Sequence, residues 1–171
     1  TSKEEFAKVL SKEMIDSSRK FNYPLPTLGI EPGRSIVGDA GITLYTIRYI
    51  KPIPGERTYV IVDGGLSDNP RPALYGANYH VVIANRPDQK ADFLCTISGK
   101  HCETDTLFKN VHIAKPKRGD ILAVFSTGAY NHSMASNYNR YPKPPVVLIN
   151  GNKARVIYRR ETIKDLMKQD V

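Results

Sequence analysis

Four polar clusters in this sequence hold side chains of the kinds that bind anions, move protons or let backbone approach a ligand. Each directly follows a run of β-forming residues. Glu31-Pro32-Gly33-Arg34 sets a carboxylate and a guanidinium on either side of a turn, and by itself Pro32-Gly33 is only that turn. Asp63-Gly64-Gly65 leads into Ser67 to Gly76, a polar loop stiffened by Pro70 and Pro72 that carries Arg71 and Tyr75. An arginine held in such a loop suits carboxylate capture, because the guanidinium offers paired donors to two oxygens.

The third cluster, Ser98-Gly99-Lys100-His101-Cys102-Glu103, contains a thiol among charges of both signs. Lys100 and His101 favour the thiolate there, whereas Glu103 and burial favour the thiol. Cys95, inside an apolar run, fits an inert buried cysteine. The fourth, Ser126-Thr127-Gly128-Ala129-Tyr130-Asn131, joins small residues that admit a phosphate to a phenol able to donate. Hydroxyl-rich strand ends are also common turns.

Composition bounds what these clusters can serve. The 171 residues suffice for one sizeable core, or for a domain plus part of another. A hydrophobic fraction of 40% and a charged fraction of 25% are those of a soluble globular protein. No apolar run approaches the roughly 18 residues of a membrane span, and residues 1–20 have no signal-peptide block, so a cytoplasmic protein with no membrane partner is expected. The first residue is Thr1 and not Met, which fits an internal point of a longer chain. Cys95 and Cys102 lack a companion C-x-x-C or nearby paired His, so two free thiols and no metal site are expected. The formal charge of +8 is dispersed, its densest stretches (115–118 and 159–160) being short. Solvated faces account for most of it, with no nucleic-acid partner expected and a few arginines left for carboxylates or phosphate.

The elements that must position these clusters are read from periodicity. Residues 2–20 form an amphipathic helix on Phe6, Val9, Leu10 and Met14, with Ser2 and Glu5 as a capping box. It ends before Asn22-Tyr23-Pro24. A short buried strand over 27–30 then leads into Glu31, the grammar of an α/β barrel unit. Beyond Arg34, strands are expected at 42–50, 58–62, 79–84, 93–97, 121–125, 146–149 and 154–158, with a hairpin turn at Asn150-Gly151 and a final helix over 161–168. One helix and one strand cannot bury both faces alone, so their neighbours are expected in a missing amino-terminal barrel. The fold expected is mainly β: the last helix and strand of an α/β (TIM-type) barrel over 1–35, then a Greek-key β-sandwich or barrel domain over 36–171 with a short carboxy-terminal helix.

In their order, the four clusters closely resemble the diaminopimelate decarboxylases, which use pyridoxal phosphate and join an α/β barrel to a β domain. The Ser67–Gly76 and Cys102–Thr104 stretches are specific to them, whereas Glu31–Arg34 and Gly128–Tyr130 are shared with ornithine and arginine decarboxylases. The resemblance implies that Glu31 faces the pyridine nitrogen, and that Pro32, Gly33, Arg34 and Tyr130 lie on the cofactor. Arg34, Arg71, Tyr75 and Tyr130 are implied to contact substrate, with Arg71 and Tyr75 on its distal carboxylate. Cys102 is implied as the general acid at the α-carbon and Glu103 as the contact to the distal amino group. Both are implied to reach the partner's site in a homodimer. His101 departs from the small residue that often precedes the cysteine, which bears on the thiol.

The cofactor-anchoring lysine of the family has no match here, so the 171 residues alone are expected to be inactive. The activity implied for the parent enzyme is conversion of meso-diaminopimelate to L-lysine and CO2. The alternatives are a related pyridoxal decarboxylase acting on another basic amino acid, and a non-catalytic β-rich binding module.

Overall fold

The structure is a computed structural model that describes residues 2–171. It divides into two compact units, one ending at Pro32 and the other spanning Gly33–Val171. In the first, helix α1 (Lys3–Lys20) starts at Ser2, whose hydroxyl accepts from the Glu5 N–H at 3.1 Å. Acidic Glu4 and Glu5 open the helix and basic Arg19 and Lys20 close it, each matching the sign of the nearer helix end. Phe6, Val9 and Ile15 are exposed along it. The expected strand over 27–30 does not form, and Leu28 and Ile30 are 49% and 59% exposed. A strand exists only as part of a hydrogen-bonded ladder, and none of the described residues pairs with this one.

The second unit is mainly β, as expected. Strands β1 (Thr43–Ile53), β2 (Arg57–Val62), β3 (Val81–Ile83), β4 (Phe93–Ser98), β5 (Thr106–Ile113) and β6 (Ile121–Val124) form one sheet in the order β3-β6-β1-β2-β4-β5. Its two edge strands, β3 and β5, approach each other, so the sheet is nearly closed into a barrel. Strand β1 makes the bend: Thr43–Thr46 pair with β6, a register shift follows Ile47, and Tyr49–Ile53 pair with β2. All pairs are antiparallel except β2 with β4, where the chain crosses to β3 and returns. Inside lie Ile47, Val60, Ile97, Leu122 and Val124, with no exposed surface. A separate hairpin pairs β7 (Val146–Asn150) with β8 (Lys153–Tyr158) across Gly151, whose φ of +56° suits the tight turn.

Among the elements not anticipated are one strand and two one-turn helices. Strand β5 is masked in the sequence by Lys109-Asn110, and Asn110 takes a φ of +54° that breaks the in–out alternation. Two one-turn helices, α2 (Gly33–Val37) and α3 (Arg71–Tyr75), occupy stretches that read as loops. The final helix α4 (Ile163–Leu166) is shorter than expected, and starts in a reciprocal cap between Thr162 and Asp165. Among the described residues no helix is long and apolar enough to cross a membrane.

Asp120 ties the entry of β6 to the exit of β3. Its carboxylate pairs with Arg86 and accepts from the Asn85 amide (3.0 Å) and the Lys117 N–H (2.7 Å). Burial opposes its charge, but these donors outweigh burial and hold its pKa below the ordinary 3.8. A depressed carboxylate stabilises the fold above its unfolded pKa and loses that contribution as pH falls through the folded one. Asp120→Asn should therefore lower stability at pH 7 by about 1–3 kcal/mol, and the gap to the unsubstituted chain should begin to narrow as pH falls below about 4. Urea unfolding across pH 3–7 measures it; a gap that persists unchanged into acid would contradict this assignment.

Candidate functional site

The expected site residues fall into two groups within the second unit. The first centres on Arg71. Pro70 and Pro72 start helix α3, and Gly76 ends it at a φ of +61°, its N–H returning to the Arg71 and Pro72 carbonyls. One turn of helix puts Arg71 and Tyr75 on the same side. The Arg71 guanidinium carbon lies 5.1 Å from the Tyr75 ring centre and 5.4 Å from that of Tyr130. Its Nε is buried with no hydrogen-bond partner. A guanidinium stacked on two rings and short of an acceptor is prepared for an anion.

Tyr130 is held in the left-handed region at a φ of +64°, and Ser126 at +56°. Neither is glycine, and strain of this kind persists only where surrounding contacts impose it. The imposing contacts are local. The Ser126 hydroxyl donates to Asp39 at 2.7 Å, and its carbonyl accepts from Arg34 Nη2 at 3.4 Å. The Arg34 guanidinium in turn lies 5.6 Å from the buried Tyr79 ring. A Cβ on Gly33 would fall 2.0 Å from the Tyr130 hydroxyl oxygen, so only glycine lets the phenol sit over this backbone. Gly33, Arg34 and Tyr130 thus form one corner with a cation and a phenol. Glu31 and Pro32 close the first unit, both exposed.

The second group is the loop carrying Cys102 and Glu103, and its anchor is Asp105. Both atoms of this side-chain pair are inside: the His101 and Asp105 side chains are 0% and 1% exposed, with Nδ1 and Oδ2 2.5 Å apart. Asp105 also accepts from the His101 N–H (3.1 Å) and, across the fold, from the Leu66 N–H (2.8 Å). Its carbonyl accepts from the Gly99 N–H (2.7 Å) and the Ser98 hydroxyl (2.8 Å). A Cβ on Gly99 would lie 2.0 Å from Asp105 Oδ2, so this knot closes only around glycine.

The knot leaves Cys102 and Glu103 exposed at its tip. The His101 ring turns away from the thiol into the interior, between the Tyr138 and Tyr141 rings (5.6 and 5.2 Å). Lys100 lies over Tyr141, 4.3 Å from its centre. The thiol's partner is Glu103, to which Cys102 Sγ donates at 3.4 Å. Glu103 is held down to about 2, first by its own backbone N–H, then by the Asn139 amide and the Tyr138 hydroxyl. Cys95, by contrast, is buried in β4, where burial pushes its thiol up to about 12.

Among the described residues the two groups share no hydrogen bond or ring contact. Both hang on the same connection, since Leu66, bonded to Asp105, lies five residues before Arg71. Sequence reasoning missed Asp105 and Asn139. The paired glycines 64–65 and Gly99 hinted at a close crossing, but nothing local marked the carboxylate that fills it.

Over residues 10–128 the sequence matches the family described as pyridoxal-dependent decarboxylase, C-terminal sheet domain. It is 45% identical over 168 residues to the diaminopimelate decarboxylase of Bacillus subtilis, covering 98% of this chain and 38% of that protein. The enzyme of that name from Synechocystis is 48% identical over 168 residues, covering 98% and 36%. Among solved structures, diaminopimelate decarboxylase from M. jannaschii superposes with a TM-score of 0.81 at 34% identity, over 95% of this chain and 37% of that one. The same enzyme in co-complex with L-lysine gives 0.79 at 34% identity, over 92% and 36%. The chain therefore spans a little over a third of the length of these relatives.

Asp105→Ala should cost about 3 kcal/mol, because it leaves the Leu66 and His101 N–H groups and a buried imidazole without their acceptor. The shift in urea midpoint measures it, and a midpoint within error of the original would remove Asp105 from its anchoring role.

Proposed function

The chain belongs to the pyridoxal-dependent decarboxylases as their C-terminal sheet domain, and from that premise we propose that it forms the substrate-selecting and proton-donating part of a diaminopimelate decarboxylase. The observation that carries this is the Arg71 guanidinium, stacked between Tyr75 and Tyr130 with its Nε buried and short of an acceptor. A basic amino acid without a distal carboxylate has no use for such a group, whereas meso-diaminopimelate carries one.

The donor set fits pyridoxal phosphate. Arg34, the Tyr130 hydroxyl and the backbone at Gly33 supply a cation, a donor and close approach for a phosphate; for Glu31, only the resemblance supports a place facing the pyridine nitrogen. When bound, the cofactor supplies an electron sink for the pair released as the α-carboxylate departs. The chain's own residues do the rest. Arg71 and Tyr75 hold the distal carboxylate and Glu103 takes the distal ammonium, so opposite charges orient the two functions at that end. The bond between the α-carbon and its carboxylate breaks, CO2 leaves, and Cys102 gives its proton to that carbon. The Cys102 thiol donates to the Glu103 carboxylate, which the donors around it keep ionised at neutral pH.

The two groups of residues are proposed to serve different active sites. Cys102 and Glu103 stand exposed at a loop tip, apart from Arg71, which supports their reaching the site of a second copy in a homodimer. The reactive lysine would come from the barrel of the parent enzyme, and the 171 residues alone are proposed to have no turnover.

A chimera tests this reading: the chain replaces the matching segment of the Bacillus subtilis relative, and lysine formation from meso-diaminopimelate is followed. The chimera should decarboxylate. Cys102→Ala should lower kcat by roughly 100-fold or more, and Arg71→Leu should raise KM and lower kcat/KM for the same substrate. Unchanged kinetics in either variant would overturn the role given to that residue.

A further inference from the structure

We infer that Asn139 is a positioning residue for the proton-donating pair, its side-chain amide holding the Glu103 carboxylate against the Cys102 thiol. Its catalytic consequence rests on the decarboxylase reading above; the tether itself does not. Asn139 Nδ2 lies 3.0 Å from Glu103 Oε2 and 4.0 Å from Cys102 Sγ. Cys102 Sγ donates to that same oxygen. Three side chains from two distant parts of the sequence thus meet at one carboxylate oxygen. An amide carries two N–H donors, so one can serve the carboxylate while the other faces sulfur.

The turn that delivers the amide is built for this approach. Asn139 and Arg140 are both left-handed, with φ of +55° and +57°. Two consecutive residues in that region are costly for L-amino acids, and such strain is kept only where neighbours impose it. Here they do so from both ends. Asn137 donates to the Tyr141 carbonyl at 3.1 Å and to Glu161 at 2.6 Å, closing the turn. Arg140 pairs with Asp170 near the carboxyl end of the chain. Tyr138 and Tyr141, on either side of Asn139, pack their rings on His101, the residue before Cys102 and itself locked to Asp105. The turn and the thiol loop therefore share one rigid support, and Asn139 joins their tips.

Without this link Glu103 is an exposed, long side chain on a loop tip, with rotamer freedom to leave both thiol and substrate. The neighbouring Tyr138 hydroxyl adds to the influences that favour the ionised Glu103 carboxylate, but the hydrogen bond that fixes it is the Asn139 amide. After its own backbone N–H, the Asn139 amide does most to hold Glu103 down to about 2.

The positive φ supplies a clean test. Asn139→Gly keeps the left-handed backbone and removes the amide; Asn139→Asp keeps the shape but replaces the donor with a second carboxylate beside Glu103. Two readouts are taken. Carbon-detected NMR follows the Glu103 carboxyl titration in the 171-residue chain, and steady-state kinetics follow the chimera described above. The expected result is an upward shift of the Glu103 midpoint in both variants, with kcat/KM reduced roughly 10- to 100-fold and Asp the more damaging. A turn that matters only for its backbone would give Asn139→Gly an unshifted Glu103 and unchanged kinetics, and that result overturns the inference. An inactive unsubstituted chimera with the Glu103 shift intact would sink the decarboxylase reading and leave the tether standing.

Discussion

Asp105 is a carboxylate taken almost wholly out of water, and both of its oxygens are used, one to hold its own loop and one to join that loop to a segment distant in sequence. One oxygen receives the Leu66 N–H from the loop that becomes helix α3, and the other receives the ring and N–H of His101. Its burial is tolerable only because these donors replace the lost hydration. The geometry in turn demands glycine at position 99, since any larger residue would collide with Oδ2. The loop of Arg71 and the loop of Cys102 and Glu103 are thereby fixed to the same point of the β barrel. Exposed side chains gain a defined address from a buried one.

Charge is distributed around this point with a consistent logic. Arg71 is stacked on aromatic rings and lacks an acceptor, so its positive charge is available to an anion. Glu103 is stripped of its tendency to protonate by donors converging on it, so its negative charge is available to a cation. Lys100 and His101, which in the sequence flank the thiol, are both withdrawn from it by the aromatic pair Tyr138 and Tyr141. What remains beside Cys102 is a carboxylate that accepts from it, an arrangement suited to giving up a proton and not to nucleophilic attack.

Much of the fold was legible because the β domain gathers Val, Ile, Tyr and Thr into runs and marks their ends with Gly, Pro, Asn and Asp. The hairpin at Asn150-Gly151 and the inward-facing runs of β2, β4 and β6 follow directly from that grammar. Strand β5 was lost where Asn110 steps out of the alternation, a local exception that only pairing with β4 enforces. The expected strand at 27–30 had the right composition but no partner, and composition cannot make a ladder. In the site, the charged and aromatic residues were visible by type and by resemblance. The Asp105 knot and the Asn139 turn were not, because both join residues through space. His101 was read as a neighbour of the thiol by sequence adjacency, whereas its ring points the other way.

The central claim is that one chain contributes to two sites, Arg71 to its own and Cys102 to that of a second copy. Mixing tests it directly in the chimeric enzyme. Arg71→Leu and Cys102→Ala subunits, each strongly impaired alone, are co-expressed or exchanged, and lysine formation is measured at low substrate. If the groups serve different sites, each mixed dimer regains one intact site, and the mixture recovers up to roughly a quarter of full activity. Demonstrated subunit exchange with no recovery would mean that both groups act within a single chain, and would contradict the account.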